Sequence, residues 1–343
     1  MSIENTVGRW EKRWHPLRQE WVVYAAHRNS RPWTTGTTDQ DTNLAPAYDP
    51  SCYLCPTNLR IHGDHNPDYK GVYIFDNDHP VVGLNAPDTE VFVHDFYQKG
   101  PATGIARVVC YDPRHNVTLS DVSPEVVNNV LSALQTETIR LSKIHPIKSV
   151  FVFENKGKEC GVSNPHPHCQ IYATDFVFRT VQTHLDAAKT YRLQSGKSIF
   201  GQILQSEIAD QVRIIAENDQ AVAFIPFFAR YAYEVMIMPK NHHPTIMTLS
   251  SEEIKGLAEV YWQTIRKLDL NAGHTFPYVM SLMQSPTDQP DLDYWMYLHI
   301  LPPYRAPGLL KYLGGPESNG GTFMADTMPE EKALELNRFS ALV

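Results

Sequence analysis

Two histidines separated by one proline form the densest chemical signal in this sequence. They lie in the run Ser163-Asn164-Pro165-His166-Pro167-His168-Cys169-Gln170. Side chains of an extended segment alternate with a period of two, so His166, His168 and Gln170 would share one side. His166 can then ligate a metal while His168 attacks phosphorus, provided that a carbonyl or carboxylate holds its other ring nitrogen. Gln170 can donate a hydrogen bond to the attacked phosphoryl group. The competing interpretation is a pair of histidines that bond to the backbone in a turn.

A second signal is the C-x-x-C pair formed by Cys52 and Cys55. Such a pair fits one edge of a tetrahedral zinc site. No second C-x-x-C follows, so histidines must complete the site, and His115 and His166 are the natural candidates. A redox pair and incidental core cysteines are the alternatives. Redox pairs begin a helix after a strand, which the proline-containing flanks do not resemble, so the pattern favours a Cys₂His₂ zinc site.

The third signal is a pair of arginines, Arg28 and Arg31, in a loop that Pro32 bounds. One guanidinium group can bind two phosphate oxygens at once. Two arginines can therefore clamp a diphosphate. Taken alone, the pair also fits two solvated surface residues.

These residues need a scaffold, and the sequence around them predicts alternating strands and helices. Strand candidates in the first half are 21–24, 72–75, 105–111, 149–154 and 170–173. Ser123 as N-cap and Pro124 at the first helical position predict a helix that ends near residue 143.

The second half repeats this order. Strand candidates at 221–227, 234–239, 278–282 and 294–300 surround a helix that begins after Ser250 and ends near residue 268. The strand–loop–strand unit after each helix ends in a histidine, His168 or His299. We therefore predict an α+β fold of two tandem copies, residues 1–185 and 186–343. Two unrelated segments with the same generic order are the alternative.

The composition of the chain argues against several classes of function. The 343 residues are 42% hydrophobic and 20% charged, as in ordinary globular proteins, and the net charge of −8 argues against a nucleic-acid partner. The N-terminus lacks the apolar stretch of a signal peptide, and no run of about 18 apolar residues occurs. Five cysteines in such a chain make disulfides improbable, so we expect a cytoplasmic protein.

Together these motifs resemble the galactose-1-phosphate uridylyltransferase family of the histidine-triad superfamily. The resemblance extends from about residue 10 to residue 335 and includes 27–33, the C-x-x-C pair, 66–69, 77–78, 153–157 and the run 163–170. It implies two histidine-triad-like halves with antiparallel sheet and flanking helices. It also implies a homodimer whose active sites lie at the subunit interface.

The resemblance also implies roles for individual residues. His168 would be the nucleophile, and Gln170, Ser163 and Asn155 would contact phosphate. The structural zinc ligands would be Cys52, Cys55, His115 and His166. The nucleotide would be held by Arg28, Arg31, Asn77 and Asp78. Lys311 and Glu317 match a C-terminal loop that, in the family, reaches the sugar phosphate in the other subunit.

The implied reaction is a ping-pong transfer in galactose metabolism. His168 would displace glucose 1-phosphate from UDP-glucose, and galactose 1-phosphate would then take the uridylyl group. One alternative is a related phosphorylase or transferase that uses phosphate, another sugar 1-phosphate or a dinucleoside polyphosphate. A non-catalytic nucleotide-binding protein is another, although binding alone has no need of a nucleophile.

The chain departs from the family pattern at three places. Cys169 replaces a usual glycine, and it would either narrow the phosphate pocket or pack behind it. Some members bind an additional metal in the second half, and the matching positions here read Met283, Tyr297 and His299, so we expect that site to be absent. Gly314 and Pro316 in the sugar-facing loop stand where some members have bulkier residues.

Overall fold

The computed structural model of the chain describes residues 10–25, 45–86, 92–93 and 96–341. Arg28 and Arg31 lie outside the described residues. The strands are β1 Trp10–His15, β2 Glu20–Ala25, β3 Tyr73–Asp76, β4 Phe92–Val93, β5 Gln98–Lys99, β6 Gly104–Cys110, β7 Ser149–Lys156, β8 His168–Thr174, β9 Ile214–Glu217, β10 Ala221–Phe224, β11 Val235–Pro239, β12 Tyr278–Met283, β13 Tyr297–Leu301, β14 Tyr304–Ala306, β15 Leu309–Leu310 and β16 Phe323–Ala325. The helices are α1 Pro124–Ser142, α2 Arg179–Ser195, α3 Ile199–Asp210, α4 Ser251–Ala272, α5 Gly315–Ser318 and α6 Pro329–Leu336. None of these helices combines the length and apolar character needed to cross a bilayer.

One nine-stranded sheet carries both halves of the chain. Its order is β3-β6-β8-β7-β12-β13-β11-β10-β9, and every neighbouring pair is antiparallel. The first half contributes the order β3-β6-β8-β7, and the second half repeats it as β10-β11-β13-β12. The copies meet where β7 pairs with β12. The predicted α+β duplication is therefore confirmed, and the copies share one continuous sheet.

The two predicted helices begin where the sequence places them. Ser123 has the extended backbone of an N-cap before α1, with Pro124 in the first turn. Ser250 and Glu253 form a capping box at the start of α4. Helices α1 and α4 pack against each other on one face of the sheet, where their apolar residues join the largest core cluster.

Helices α2 and α3 were not predicted, although the sequence carries a signal for α2. Its buried residues Val181, Leu185 and Ala188 follow helical spacing, and Gly196 ends it in the left-handed conformation. Both helices join a core cluster with second-half strand residues such as Met236 and Tyr297. They thus cover the second half of the sheet face opposite α1 and α4.

A row of paired residues shows which side chains share that opposite face. Gln170 pairs with Phe153, Phe153 with Ser281, and Ser281 with His299. Directly paired residues of antiparallel strands point to the same side of the sheet. His299 in the second half therefore lies on the same face as Gln170 in the first.

A carboxyl group is buried in the core where the two halves meet. Glu154 on β7 accepts hydrogen bonds from the hydroxyls of Tyr261 and Tyr278, both at 3.4 Å. Burial raises the pKa of Glu154 to about 7, although the charge of Lys156 and these hydroxyls act in the opposite direction. The folded protein therefore favours the protonated acid.

Glu154→Gln should change how stability depends on pH. Between the unfolded pKa, near 4.5, and the folded pKa, near 7, the native state binds the extra proton. Wild-type stability should thus fall as pH rises through this window, by about 3 kcal/mol, and then level off. The neutral amide avoids that loss, so the variant should gain stability relative to wild type from pH 5 to pH 8. Urea unfolding at both pH values measures this difference, and an equal difference at the two would contradict the assignment.

Candidate active site and metal cluster

The four predicted metal ligands come together in one buried cluster. The ligand atoms of Cys52, Cys55, His115 and His166 all lie within 4.8 Å of one another. Cys55 Sγ is 3.7 Å from His115 Nδ1 and 3.6 Å from His166 Nδ1. This cluster can hold a metal ion.

Side-chain amides hold the loop that carries the two cysteines. Asn66 Nδ2 donates to the carbonyls of Tyr53 and Cys55, both at 2.9 Å. Asn164 Nδ2 donates to Cys52 Sγ at 3.3 Å, and Asn164 Oδ1 accepts from the backbone N–H of His166 at 3.0 Å. Asn164 thus ties the cysteine loop to the histidine segment.

Tyr69 fixes the ring of His166, a role that sequence reasoning did not assign. Its hydroxyl donates to the carbonyl of Leu54 at 2.7 Å and therefore accepts from His166 Nε2 at 2.9 Å. The proton of the neutral ring then lies on Nε2, which leaves the lone pair of Nδ1 directed at Cys55. A hydrogen bond of this kind orients a metal-ligating histidine.

Burial sets the protonation states of the cluster. It raises the pKa of Cys55 to about 11, and the nearby Cys52 adds to the shift. Burial and the neighbouring His115 and His168 lower the pKa of His166 to about 4. The imidazole is thus neutral and able to ligate at neutral pH, whereas a thiolate at Cys55 requires a compensating cation.

His168 begins strand β8 next to this cluster. Its Nδ1 donates to the backbone carbonyl of His166 at 2.7 Å, as the predicted nucleophile requires. Burial lowers the pKa of His168, so the ring is neutral and Nε2 keeps its lone pair. Strand β8 lies between β6 and β7 and begins just after Pro167, a residue that has no N–H to donate to a central ladder.

Gln170 lies two residues along the same face and is oriented by its neighbours. Its Oε1 accepts from Asn77 Nδ2 at 3.2 Å and from the Tyr172 hydroxyl at 3.5 Å. These bonds turn the carbonyl end towards Asn77 and the NH₂ end away from it. The amide is therefore placed as a donor.

Two cavities meet at His168. A small one of about 40 Å³ is lined by Asn155, Ser163, His168 and Gln170, which brings together the predicted phosphate contacts. A larger one of about 680 Å³ adjoins it and also includes Asn155 and His168 in its lining. The small cavity suits a phosphoryl group, and the larger one suits the body of a substrate.

Asp78, predicted to hold the nucleotide, has its carboxylate engaged within the protein. Burial would raise its pKa, but hydrogen bonds and charge from Arg60 outweigh this and lower the pKa of Asp78. Arg60 contacts both carboxylate oxygens, and its guanidinium lies 4.2 Å from the Phe75 ring. Asp78 therefore anchors Arg60 beside Asn77, and sequence reasoning did not identify Arg60.

Lys311 and Glu317 pair with each other in the C-terminal loop. Lys311 Nζ is 3.0 Å from Glu317 Oε1 and also donates to the carbonyl of Met324 at 2.7 Å. Neither residue is among the described residues that line the two cavities at His168. Within one chain, the structure does not bring them to His168.

Two of the places at which the chain departs from the family pattern can be located in the structure. Cys169 is 1% exposed and its side chain belongs to the core cluster on the helix side of the sheet, although the residue also contributes to the lining of the small cavity. Met283, Tyr297 and His299 line a separate cavity in the second half. His299 Nε2 lies 2.9 Å from the buried carboxylate of Glu234. The expectation that no additional metal binds there stays a prediction.

Comparison with known proteins identifies relatives along the whole chain. Residues 2–177 match the model of the galactose-1-phosphate uridyl transferase N-terminal domain, and residues 184–341 match that of the C-terminal domain. The galactose-1-phosphate uridylyltransferase of Haemophilus influenzae is 32% identical over 96% of this chain and 94% of the relative. That of Rattus norvegicus is 31% identical over 94% of this chain and 86% of the relative.

Solved structures are also similar to this chain over nearly its whole length. A structure of a uridylyltransferase superposes with a TM-score of 0.78 at 32% identity, covering 96% of this chain and 98% of the other. An ADP-glucose phosphorylase from Arabidopsis thaliana has a TM-score of 0.77 at 24% identity, over 97% of this chain and all of the other, and supports the fold alone.

Tyr69→Phe should weaken metal binding without unfolding the chain. The variant keeps the ring that stacks on Tyr73 at 5.0 Å but removes the acceptor for His166 Nε2. Loss of such a supporting bond lowers metal affinity by about 10- to 100-fold. Competition with a chromophoric chelator measures the affinity. Tyr73→Phe is the matched control, and an equal effect of both changes would contradict the role of Tyr69.

Proposed function

This chain belongs to the galactose-1-phosphate uridylyltransferase family, and we propose that His168 carries its reaction as a covalent nucleophile. The reaction moves a uridylyl group from UDP-glucose to galactose 1-phosphate. One observation supports this role above the others. His168 Nδ1 donates to a backbone carbonyl, so the neutral ring presents an unprotonated Nε2 beside a cavity lined by Ser163 and Gln170.

In the first step, His168 Nε2 attacks the α-phosphorus of UDP-glucose. A nitrogen–phosphorus bond forms, the bond from the α-phosphorus to the bridging oxygen breaks, and glucose 1-phosphate leaves with that oxygen. The ring keeps its Nδ1 proton, and the carbonyl of His166 stabilises the positive charge that develops on it. The Gln170 amide donates to a non-bridging oxygen of the α-phosphate, with Asn155 and Ser163 as further contacts.

In the second step, a phosphate oxygen of galactose 1-phosphate attacks the same phosphorus. The nitrogen–phosphorus bond breaks, UDP-galactose forms and His168 returns to its neutral state. The same side chains contact the α-phosphate in both steps. The two sugar phosphates therefore compete for one position. This is the basis of ping-pong kinetics.

We assign the nucleotide to Arg28, Arg31 and Asn77, with Asp78 acting by anchoring Arg60. The pairing of Lys311 with Glu317, away from His168 of the same chain, supports a homodimer in which this loop serves the partner's active site. Sedimentation equilibrium tests the dimer, and a monomer at micromolar concentration would contradict it. We place the enzyme in the cytoplasm, which cell fractionation tests.

The metal that best fits the cluster is zinc. With bonds of about 2.3 Å to sulfur and 2.0–2.1 Å to nitrogen, a tetrahedral zinc site separates sulfur and nitrogen ligands by roughly 3.6 Å. Cys55 Sγ is 3.6 Å and 3.7 Å from the two histidine nitrogens. When bound, the ion would cross-link the cysteine loop to the segment that leads into His168.

His168→Gly should abolish covalent uridylylation while leaving the fold intact. The variant lacks the reacting nitrogen but keeps the metal ligand two residues before it. Intact mass spectrometry at neutral pH, after mixing with UDP-glucose alone, should show a uridylyl adduct on wild type and none on the variant. His65→Gly, a change at an exposed loop histidine, is the control that should keep the adduct.

An adduct on the His168 variant would contradict the assignment. Offering the wild-type adduct galactose 1-phosphate or inorganic phosphate then separates a uridylyltransferase from a phosphorylase. Release of the uridylyl group to phosphate but not to the sugar phosphate would replace the proposed acceptor.

Cys52→Ser should release zinc and lower the melting temperature. In a structural site the metal-binding free energy contributes to folding, so loss of one thiolate removes part of it. Elemental analysis and thermal unfolding measure the two effects. Cys160→Ser changes a half-buried thiol outside the cluster and is the matched control. A wild-type protein that is equally stable without zinc would contradict the structural role.

A further inference from the structure

A cavity in the second half of the molecule lies on the same sheet face as the His168 site. Its volume is about 320 Å³, roughly the space of ten water molecules. Strands β7, β11, β12 and β13 form its floor, and the start of α2 and the turn after β1 form its walls. Three arginines line it: Arg18, Arg179 and Arg230.

The start of α2 gives this cavity hydrogen-bond donors. Phe178 is the N-cap and provides no side-chain cap, and the first turn contains no acidic residue. The first backbone N–H to bond within the helix is that of Gln182, to the carbonyl of Phe178. Thr180 and Val181, whose backbone N–H groups come before this first bond, are among the residues that line the cavity. An uncapped N-terminus carries partial positive charge and binds anions.

A buried histidine provides an independent indication of a ligand. His184 is 2% exposed, lines the cavity, and has its Nδ1 3.4 Å from the hydroxyls of Tyr294 and Tyr297. Its Nε2 is buried and has no hydrogen-bond partner among the described residues. The hydroxyls can donate to Nδ1, and the ring proton then lies on Nε2, which becomes a donor without an acceptor.

The negative groups near the cavity are already engaged. Glu234 contacts His299 Nε2 at 2.9 Å and accepts from the backbone N–H of Arg230 at 2.7 Å. Glu20 lies 2.8 Å from Arg18 Nε and 3.9 Å from Arg230. Three guanidinium groups thus face two carboxylates, and the helix terminus adds further positive potential.

We propose that this cavity binds a phosphate group, free or carried by a sugar, without chemistry at the phosphorus. Guanidinium forks, helix N–H groups and the His184 donor together match the many acceptor oxygens of a phosphate. Three guanidinium groups disfavour a bare cation in the same space. Among the described residues that line the cavity, His299 is the histidine carried by the nine-stranded sheet, and its pairing with Glu234 leaves it unavailable as a nucleophile. The site is separate from the His168 cavities and independent of the reaction proposed for them.

Phosphate titration of the UDP-saturated enzyme tests this site. UDP fills the His168 site, and sodium chloride holds the ionic strength constant. Calorimetry and thermal unfolding should then show one inorganic phosphate bound per wild-type chain. Combining Arg18→Gln with Arg179→Gln should weaken phosphate binding by about tenfold or more, because each change removes charge-assisted hydrogen bonds.

A matched control comes from the same helix. Arg192 is an exposed arginine in the last turn of α2 that pairs with Asp293, away from the cavity. Arg192→Gln should bind phosphate as wild type does, and circular dichroism checks that every variant is folded. Repeating the titration with galactose 1-phosphate distinguishes the sources, because binding of both ligands shows that the phosphoryl group suffices and binding of phosphate alone identifies the free ion.

Two results would overturn the proposal. The first is absence of phosphate binding to UDP-saturated wild type. The second is binding that the double variant and Arg192→Gln leave equally unchanged, which would place the ion elsewhere on the surface.

Discussion

The hydrogen bond from His168 Nδ1 to the carbonyl of His166 joins the Cys₂His₂ cluster and the proposed nucleophile into one unit. The ring of His166 points into the cluster while its carbonyl fixes the next histidine, so one residue serves both sites. Pro167 between them restricts the backbone and adds no competing donor. A disturbance of the cluster therefore reaches His168 through one intervening residue, Pro167. The cysteine loop, Asn164 and Tyr69 all contribute to the same alignment.

The sheet orients the remaining groups around this unit. Strand β8 is paired on both sides, so the positions of His168 and Gln170 follow from the ladder and not from loop geometry. Asn77, just after β3, reaches across β6 to turn the Gln170 amide. A donor fixed before substrate arrives loses little entropy when charge develops. The nearby backbone is held in place by helix α1 behind the sheet.

The sequence predicted those features that depend on residue type at short spacing. The Cys₂His₂ cluster that can hold a metal, the strand at His168 and the starts of helices α1 and α4 are of this kind. Tyr69 and Arg60 could not be assigned, because their roles depend on partners that only the tertiary fold brings into contact. The use of Asp78 as an anchor depends on that same unassigned Arg60. Helix α2 was not predicted, although its apolar residues follow helical spacing. The sequence therefore did carry a signal for this helix.

The connection between the two copies breaks their symmetry. A duplicated unit begins with two equivalent sheet faces, either of which can evolve a binding surface. Helices α2 and α3 belong to the segment that links the copies, and they pack on the second-half part of one sheet face. The segment that joins the two copies therefore supplies one wall of the second-half cavity, the start of α2. The two halves thus repeat one strand order but place different side chains on the same sheet face, Gln170 in the first and His299 in the second.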